Sequence, residues 1–308
     1  MVSWRERRSW RWRCERRHGP AHGRARAERR VTPVEVTRGA GPVVLGMPHT
    51  GTYVPGDIWD RLNDRGRALT DTDWHIHQLY DGLLDDVTVV RATFHRYVVD
   101  ANRDPQGHSL YPGRNTTGLV PMTDFDGRAI WRTPPDDAEI AARRDAWHAP
   151  YHAALEAELA RLRDTHGVAV LYDCHSIRSE IPYLFEGTLA DFNIGTNDGA
   201  TCAREIAATA EDVCTAATDY TTTVNGRFKG GWTTRHYGRP TAGLHAIQME
   251  LAQATYMREC PPWTYLPARA EAVRAPLGCL LGRLDALARA GQGLSSPALG
   301  RHDRGQPS

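Results

Sequence analysis

Apolar runs alternate along this chain with stretches of helical spacing, which predicts strands interleaved with helices. Pro42–Met47 is a short apolar run stopped by Pro48, the pattern of a buried strand. Val87–Ala92 is β-branched and reads as another strand, and Arg96–Asp100 as a third. Val168–Tyr172 and Gly243–Leu251 complete the set. Helical spacing covers residues 72–84, 199–216 and 266–290. The longest helical stretch, residues 135–165, opens on Pro134-Pro135 with Asp136 and Asp137 near its start. Strands alternating with helices predict an α/β sandwich around a largely parallel sheet.

The two ends break this pattern. Residues 1–35 are dense in Arg with no apolar periodicity, and read as a disordered basic extension. A secretory signal needs an apolar core that this stretch lacks. Residues 291–308, rich in Gly, Ser, Pro and Arg, read as a flexible tail. Residues 36–290 then form one catalytic domain. Lys and Arg number 38 against 37 Asp and Glu, a balance that does not point to nucleic acid or an anionic membrane. No apolar run is long enough for a membrane helix. The six cysteines are scattered without a CxxC pair, so free thiols in a reducing cytoplasm are expected. The partner expected is a small molecule, and composition leaves the oligomeric state open.

Candidate chemistry gathers where strands end, the place where open α/β sheets bind ligands. His49 follows the 42–47 run inside Pro48-His-Thr-Gly-Thr-Tyr-Val-Pro55, and His175 follows Tyr172-Asp-Cys. Two histidines at equivalent strand ends can share a zinc ion, with Asp173 orienting a ring. Each can also be a plain loop histidine. Asp71, Asp73 and His75 offer further ligands, of which Asp73 is favoured, with Asp71 or Thr72 as a helix cap. Asn102 and Arg103, after a strand starting at Arg96, could hold a carboxylate; an ion-paired surface loop fits them equally. Glu250 sits inside an apolar strand, where a carboxylate is costly unless it is paired or functional. Near a metal-bound water it would be a general base; the plainer use is an exposed strand end. Arg227, Lys229 and Arg235 lie in the glycine-rich stretch 225–238, either a loop closing over an anion or a solvated basic loop.

The stretches GMPHTGTYVP, LTDTDWHIHQLYD, RYVVDANRDP, LYDCHSIRS, FNIGTNDG, NGRFKGGWTTRHYGRP and LHAIQMELAQATYM together resemble the N-formylglutamate amidohydrolase family. That family is similar in turn to zinc carboxypeptidases and aspartoacylase-type deacylases. The resemblance implies a three-layer α/β/α sandwich with a mixed, mostly parallel sheet and one zinc ion per chain. It implies His49 and His175 as metal ligands. The carboxypeptidases carry a Glu three residues after the first His; Thr52 stands there, so Asp73 is taken as the carboxylate ligand. By the same resemblance Glu250 is the catalytic acid/base and Arg96 polarises the scissile carbonyl. Asn102 and Arg103, with Arg227, Lys229 and Arg235, bind the substrate carboxylates. The implied reaction is hydrolysis of N-formyl-L-glutamate to formate and L-glutamate, the last step of histidine degradation. A hydrolase of another N-acyl amino acid, a carboxypeptidase and a non-catalytic binding protein with this fold are the alternatives.

Overall fold

A computed structural model describes residues 31–108, 117–291 and 294. The basic extension, save its last five residues, and most of the expected tail lie outside the described residues. The described strands are β1 (Val34–Thr37), β2 (Val43–Met47), β3 (Thr88–Ala92), β4 (Ala169–Ile177), β5 (Phe192–Gly195), β6 (Thr222–Val224) and β7 (Leu244–Ala252). The helices are α1 (Gly56–Arg61), α2 (Asp64–Arg67), α3 (Ile76–Tyr80), α4 (Asp137–Arg143), α5 (Ala149–His166), α6 (Arg204–Ala216), α7 (Trp232–Tyr237) and α8 (Pro267–Ala290). One π turn, Arg144–His148, joins α4 to α5.

The strands form one mixed sheet in the order β1-β3-β2-β4-β7-β5-β6. Its centre, β3-β2-β4-β7, is parallel, while β1 and β5 pair antiparallel with β3 and β7. Helices cover both faces, as the alternating pattern predicts. One core packs α3, α6 and α8 against Val43, Leu45, Tyr172, Ile247 and Met249. The other packs Tyr151, Leu155, Leu159 and Leu162 of α5 against Val44, Leu171 and Ala246.

Strand alternation explains where chemistry enters. On β4, Val170, Tyr172 and Cys174 face the first core, so Ala169, Leu171, Asp173 and His175 share the α5 face. The apolar half of that face lies under α5, and the polar half extends beyond it. On β7 the same switch runs from Ala246 to Gln248 and Glu250.

Four expectations are corrected. Arg96–Asp100 is no strand: it is a buried turn, with Val98 N–H donating to His95 O at 2.9 Å. Tyr97, Val98 and Val99 are all fully buried, so the segment fills a core without alternating. The helix expected over 72–84 shrinks to Ile76–Tyr80, because His75 takes a left-handed conformation (φ 61°) that no α-helix continues through. Asp71 is no cap; it accepts hydrogen bonds from Tyr97 Oη (2.8 Å) and Phe125 N (2.9 Å). Strand β4 runs on to Ile177, which places His175 inside the strand.

Candidate metal and hydrolytic site

His49, Asp73 and His175 come from three separate segments and meet at one buried point. His49 stands just past β2, and the backbone of Asp73 is tied beside it, its N–H donating to His49 O at 3.1 Å. Strand β4 delivers His175. Its Nδ1 lies 3.2 Å from His49 Nδ1 and 3.2 Å from Asp73 Oδ2, and His49 Nδ1 lies 3.7 Å from that oxygen. Tetrahedral zinc with ligand distances of about 2.0–2.2 Å sets its donor atoms about 3.3–3.5 Å apart. Three donors of the right chemistry therefore stand at the right spacing.

The opposite ring nitrogens each lie beside a carboxylate. His49 Nε2 lies 2.7 Å from Asp100 Oδ1 and His175 Nε2 3.1 Å from Asp173 Oδ1. At His49 a proton shared with Asp100 leaves Nδ1 as the free lone pair, the tautomer a metal ligand needs, whereas Asp173 Oδ1 lies beside His175 Nε2 without hydrogen-bonding to it. Asp173 is in turn held by Thr234 Oγ1 at 2.9 Å.

Buried charges surround the three donors. Burial alone would raise the Asp73 and lower the His175 pKa. Arg96 outweighs burial at Asp73 and, with both histidines, keeps it ionised. Asp173, Asp73 and Glu250 outweigh burial at His175 and push its pKa well up. At Asp100 burial is outweighed by Arg103 and His49, and its pKa falls well below the usual range. A cation held by His49, Asp73 and His175 would replace the proton that these carboxylates favour on His175.

Glu250 stands opposite His175 in the β4–β7 register. Burial raises its pKa to about 8, with Asp73 and Asp173 adding to burial while His175 and Arg96 oppose it. That range suits a group that takes and returns a proton near neutrality.

These residues open onto a cavity of about 330 Å3, whose lining includes His49, His175, Glu250, Arg96, Arg103 and Arg227. Asn102 also lines it; its Oδ1 accepts from Thr233 N at 2.9 Å, and its Nδ2 lies 3.1 Å from His175 Nε2. Arg96 Nη2 donates to Asp73 Oδ1 at 2.9 Å, so a role for Arg96 at a substrate carbonyl is shared with holding the ligand. Arg103 donates to Thr117 O and Oγ1, both at 2.9 Å. Arg227 donates to Leu184 O at 3.1 Å and lies over the Phe228 ring.

Lys229 and Arg235 are not among the residues lining the cavity. Lys229 pairs with Asp198 at 2.9 Å on the outer side, and Arg235 Nε donates to Gly230 O. The glycine-rich stretch is not a loop throughout: its second half folds into α7, and Gly231, Thr233 and Thr234 bond to Gln248, Asn102 and Asp173. Sequence reasoning gave no role to Asp100 or Gln248. Asp100 closes an apolar run and Gln248 shares the alternating face of Glu250, the signals that could have found them.

The N-formylglutamate amidohydrolase family model matches residues 41–257. N-formylglutamate deformylase of Pseudomonas aeruginosa is 47% identical over 256 residues, covering 82% of this chain and 96% of the relative. Its counterpart from Pseudomonas putida is 45% identical over 251 residues, 80% of this chain and 93% of the relative. The crystal structure of N-formylglutamate amidohydrolase from Ralstonia eutropha JMP134 superposes with a TM-score of 0.71 at 26% identity, covering 85% of this chain and all of that one. By sequence over most of its length, the chain belongs to the N-formylglutamate amidohydrolase family.

Proposed function

We propose that this protein hydrolyses N-formyl-L-glutamate to formate and L-glutamate with one zinc ion held by His49, Asp73 and His175. The observation that carries the reading is the meeting of these three donors at tetrahedral spacing, with His49 and His175 lining one cavity together with Glu250. A zinc ion bound there supplies Lewis acidity toward the formyl oxygen and makes water more acidic. Glu250 takes a proton from the attacking water and delivers it to the departing amine nitrogen. Arg96, buried beside Asp73, adds positive charge where the formyl oxygen gains negative charge. Arg103 and Arg227, both on the cavity wall, receive the two substrate carboxylates, and Asn102 assists without adding charge. Lys229 and Arg235 support the wall from outside.

In this reading the reaction closes histidine degradation in the cytoplasm. Among the described residues no helix is long and apolar enough to cross a membrane.

The test is Glu250→Gln assayed on N-formylglutamate, with zinc content measured alongside. Retained zinc with turnover reduced by about 100-fold or more supports the assignment. Full turnover would remove Glu250 from the mechanism. Failure of the unmodified protein to release formate would remove the substrate.

A further inference from the structure

Gln248 lies between a main-chain amide and the Glu250 carboxylate. The Gly231 N–H donates to its Oε1 at 2.7 Å, and its Nε2 donates to Glu250 Oε2 at 3.2 Å. The orientation of the side-chain amide is forced. A backbone N–H can only donate, so the oxygen must face Gly231 and the NH2 must face Glu250. Gln248 and Glu250 share one face of β7, paired with Asp173 and His175 on β4. On the other side of β7, Gln248 pairs with Gly195 of β5.

Gly195 is what lets the main chain come close enough. A Cβ built on Gly195 would lie 2.5 Å from Gly230 N and 2.8 Å from Lys229 C, so the 229–231 segment rests on a residue without a side chain. The segment is fixed further along as well, by Thr233 N on Asn102 and by Thr234 on Asp173. Gln248 therefore joins Glu250 to a stretch of backbone anchored at several points.

We propose that Gln248 is a positioning residue: it holds the Glu250 carboxylate in its working orientation by bridging it to the Gly231 amide, over a bed made by Gly195. The proposal rests on the role given to Glu250 above. A proton-transfer group displaced by about 1 Å can lose on the order of 100-fold in rate, and a residue acting only through Glu250 affects turnover without affecting substrate affinity.

Two substitutions at 248 separate the contacts. Gln248→Glu keeps an oxygen for Gly231 and removes the donor to Glu250. Gln248→Met keeps the length and removes both contacts. Gly195→Ala leaves Gln248 in place and pushes the backbone away from it. Each is assayed as the zinc-loaded full chain, with zinc content and thermal midpoint recorded. All three are expected to lower kcat by about 10- to 100-fold with KM within about threefold and zinc content unchanged. The double variant Gly195→Ala/Gln248→Met is expected to lose little more than the worse single change, because both break one bridge.

A kcat within about twofold of the unmodified protein in both Gln248 variants would overturn the proposal. So would a rise in KM at constant kcat, which would make Gln248 a substrate-binding group, or multiplicative losses in the double variant. If Gly195→Ala does not fold, the two Gln248 variants decide alone. Hydrolysis by the unmodified protein and its loss in Glu250→Gln are measured in the same series, so failure of the underlying reading is seen separately.

Discussion

His49 and His175 face each other through Nδ1 atoms 3.2 Å apart, while the far nitrogen of each ring rests against a different aspartate. The two contacts differ in bonding, since only His49 hydrogen-bonds its aspartate, and in chain origin. His49 belongs to the turn after β2 and its aspartate to the buried segment after β3. His175 and its aspartate sit two residues apart on one strand. Asp100→Asn should weaken zinc binding by about 10- to 100-fold, because the amide no longer fixes the His49 ring tautomer. Competition with a chromophoric chelator measures this. Asp198→Asn, on the outer Lys229 pair, should leave affinity unchanged.

Removing the metal should remove both activity and part of the stability. A ligand bound only by the folded state adds about 4 kcal/mol at a thousandfold excess over its dissociation constant. Dialysis against a chelator is expected to abolish formate release and lower the thermal midpoint, and added zinc should restore both. A thermal midpoint that chelation does not move would argue against a resident ion.

Gly231→Ala should damage the site by collision rather than by conformational strain. The residue has φ −78°, open to any amino acid, but its added Cβ would lie 2.2 Å from Asn102 Nδ2. Either Asn102 or the chain must move. A loss of about 1–3 kcal/mol in denaturant unfolding is expected, together with a raised KM, since Asn102 and Arg103 share the cavity wall.

How far this geometry was readable beforehand differed by residue. The strand that bears Glu250 is clear because buried parallel strands are apolar runs, and a polar residue within one stands out, whereas the polar residues after Tyr172 make the strand of His175 look as if it ends early. Among Asp71, Asp73 and His75 the sequence favours Asp73 as the third ligand, and the structure brings Asp73 to the histidines. Asp100 went without a role because its function depends on a ring delivered from 51 positions earlier. The Arg96–Asp100 segment was misread as strand because consecutive apolar residues buried in a turn look like a strand in one dimension. Lys229 and Arg235 were assigned with Arg227 because a basic loop does not say which side chains point inward.

Acid should destabilise the fold through His152. Burial pushes its pKa down from 6.5 to about 3, with His148 adding to the effect. Above pH 6.5 both folded and unfolded chains carry it neutral, and it costs nothing. Between that value and about 3 the unfolded chain takes up a proton that the folded chain refuses, so stability falls as pH falls across this window. His152→Gln should flatten this acid limb. Denaturant unfolding at pH 7 and pH 5 checks it: the stability difference between variant and unmodified protein should shrink at the lower pH. An unchanged difference would mean that His152 does not titrate with unfolding.

The two facing imidazoles are 126 positions apart in the chain. An unfolded or half-synthesised polypeptide cannot bring them together, because the contact exists only once β2 and β4 are neighbours in the sheet. Capture of the proposed metal would thus be a late event that reports the pairing of these strands. On the proposed metal chemistry, a chain in which those two strands failed to pair would lack the paired imidazoles that hold the ion.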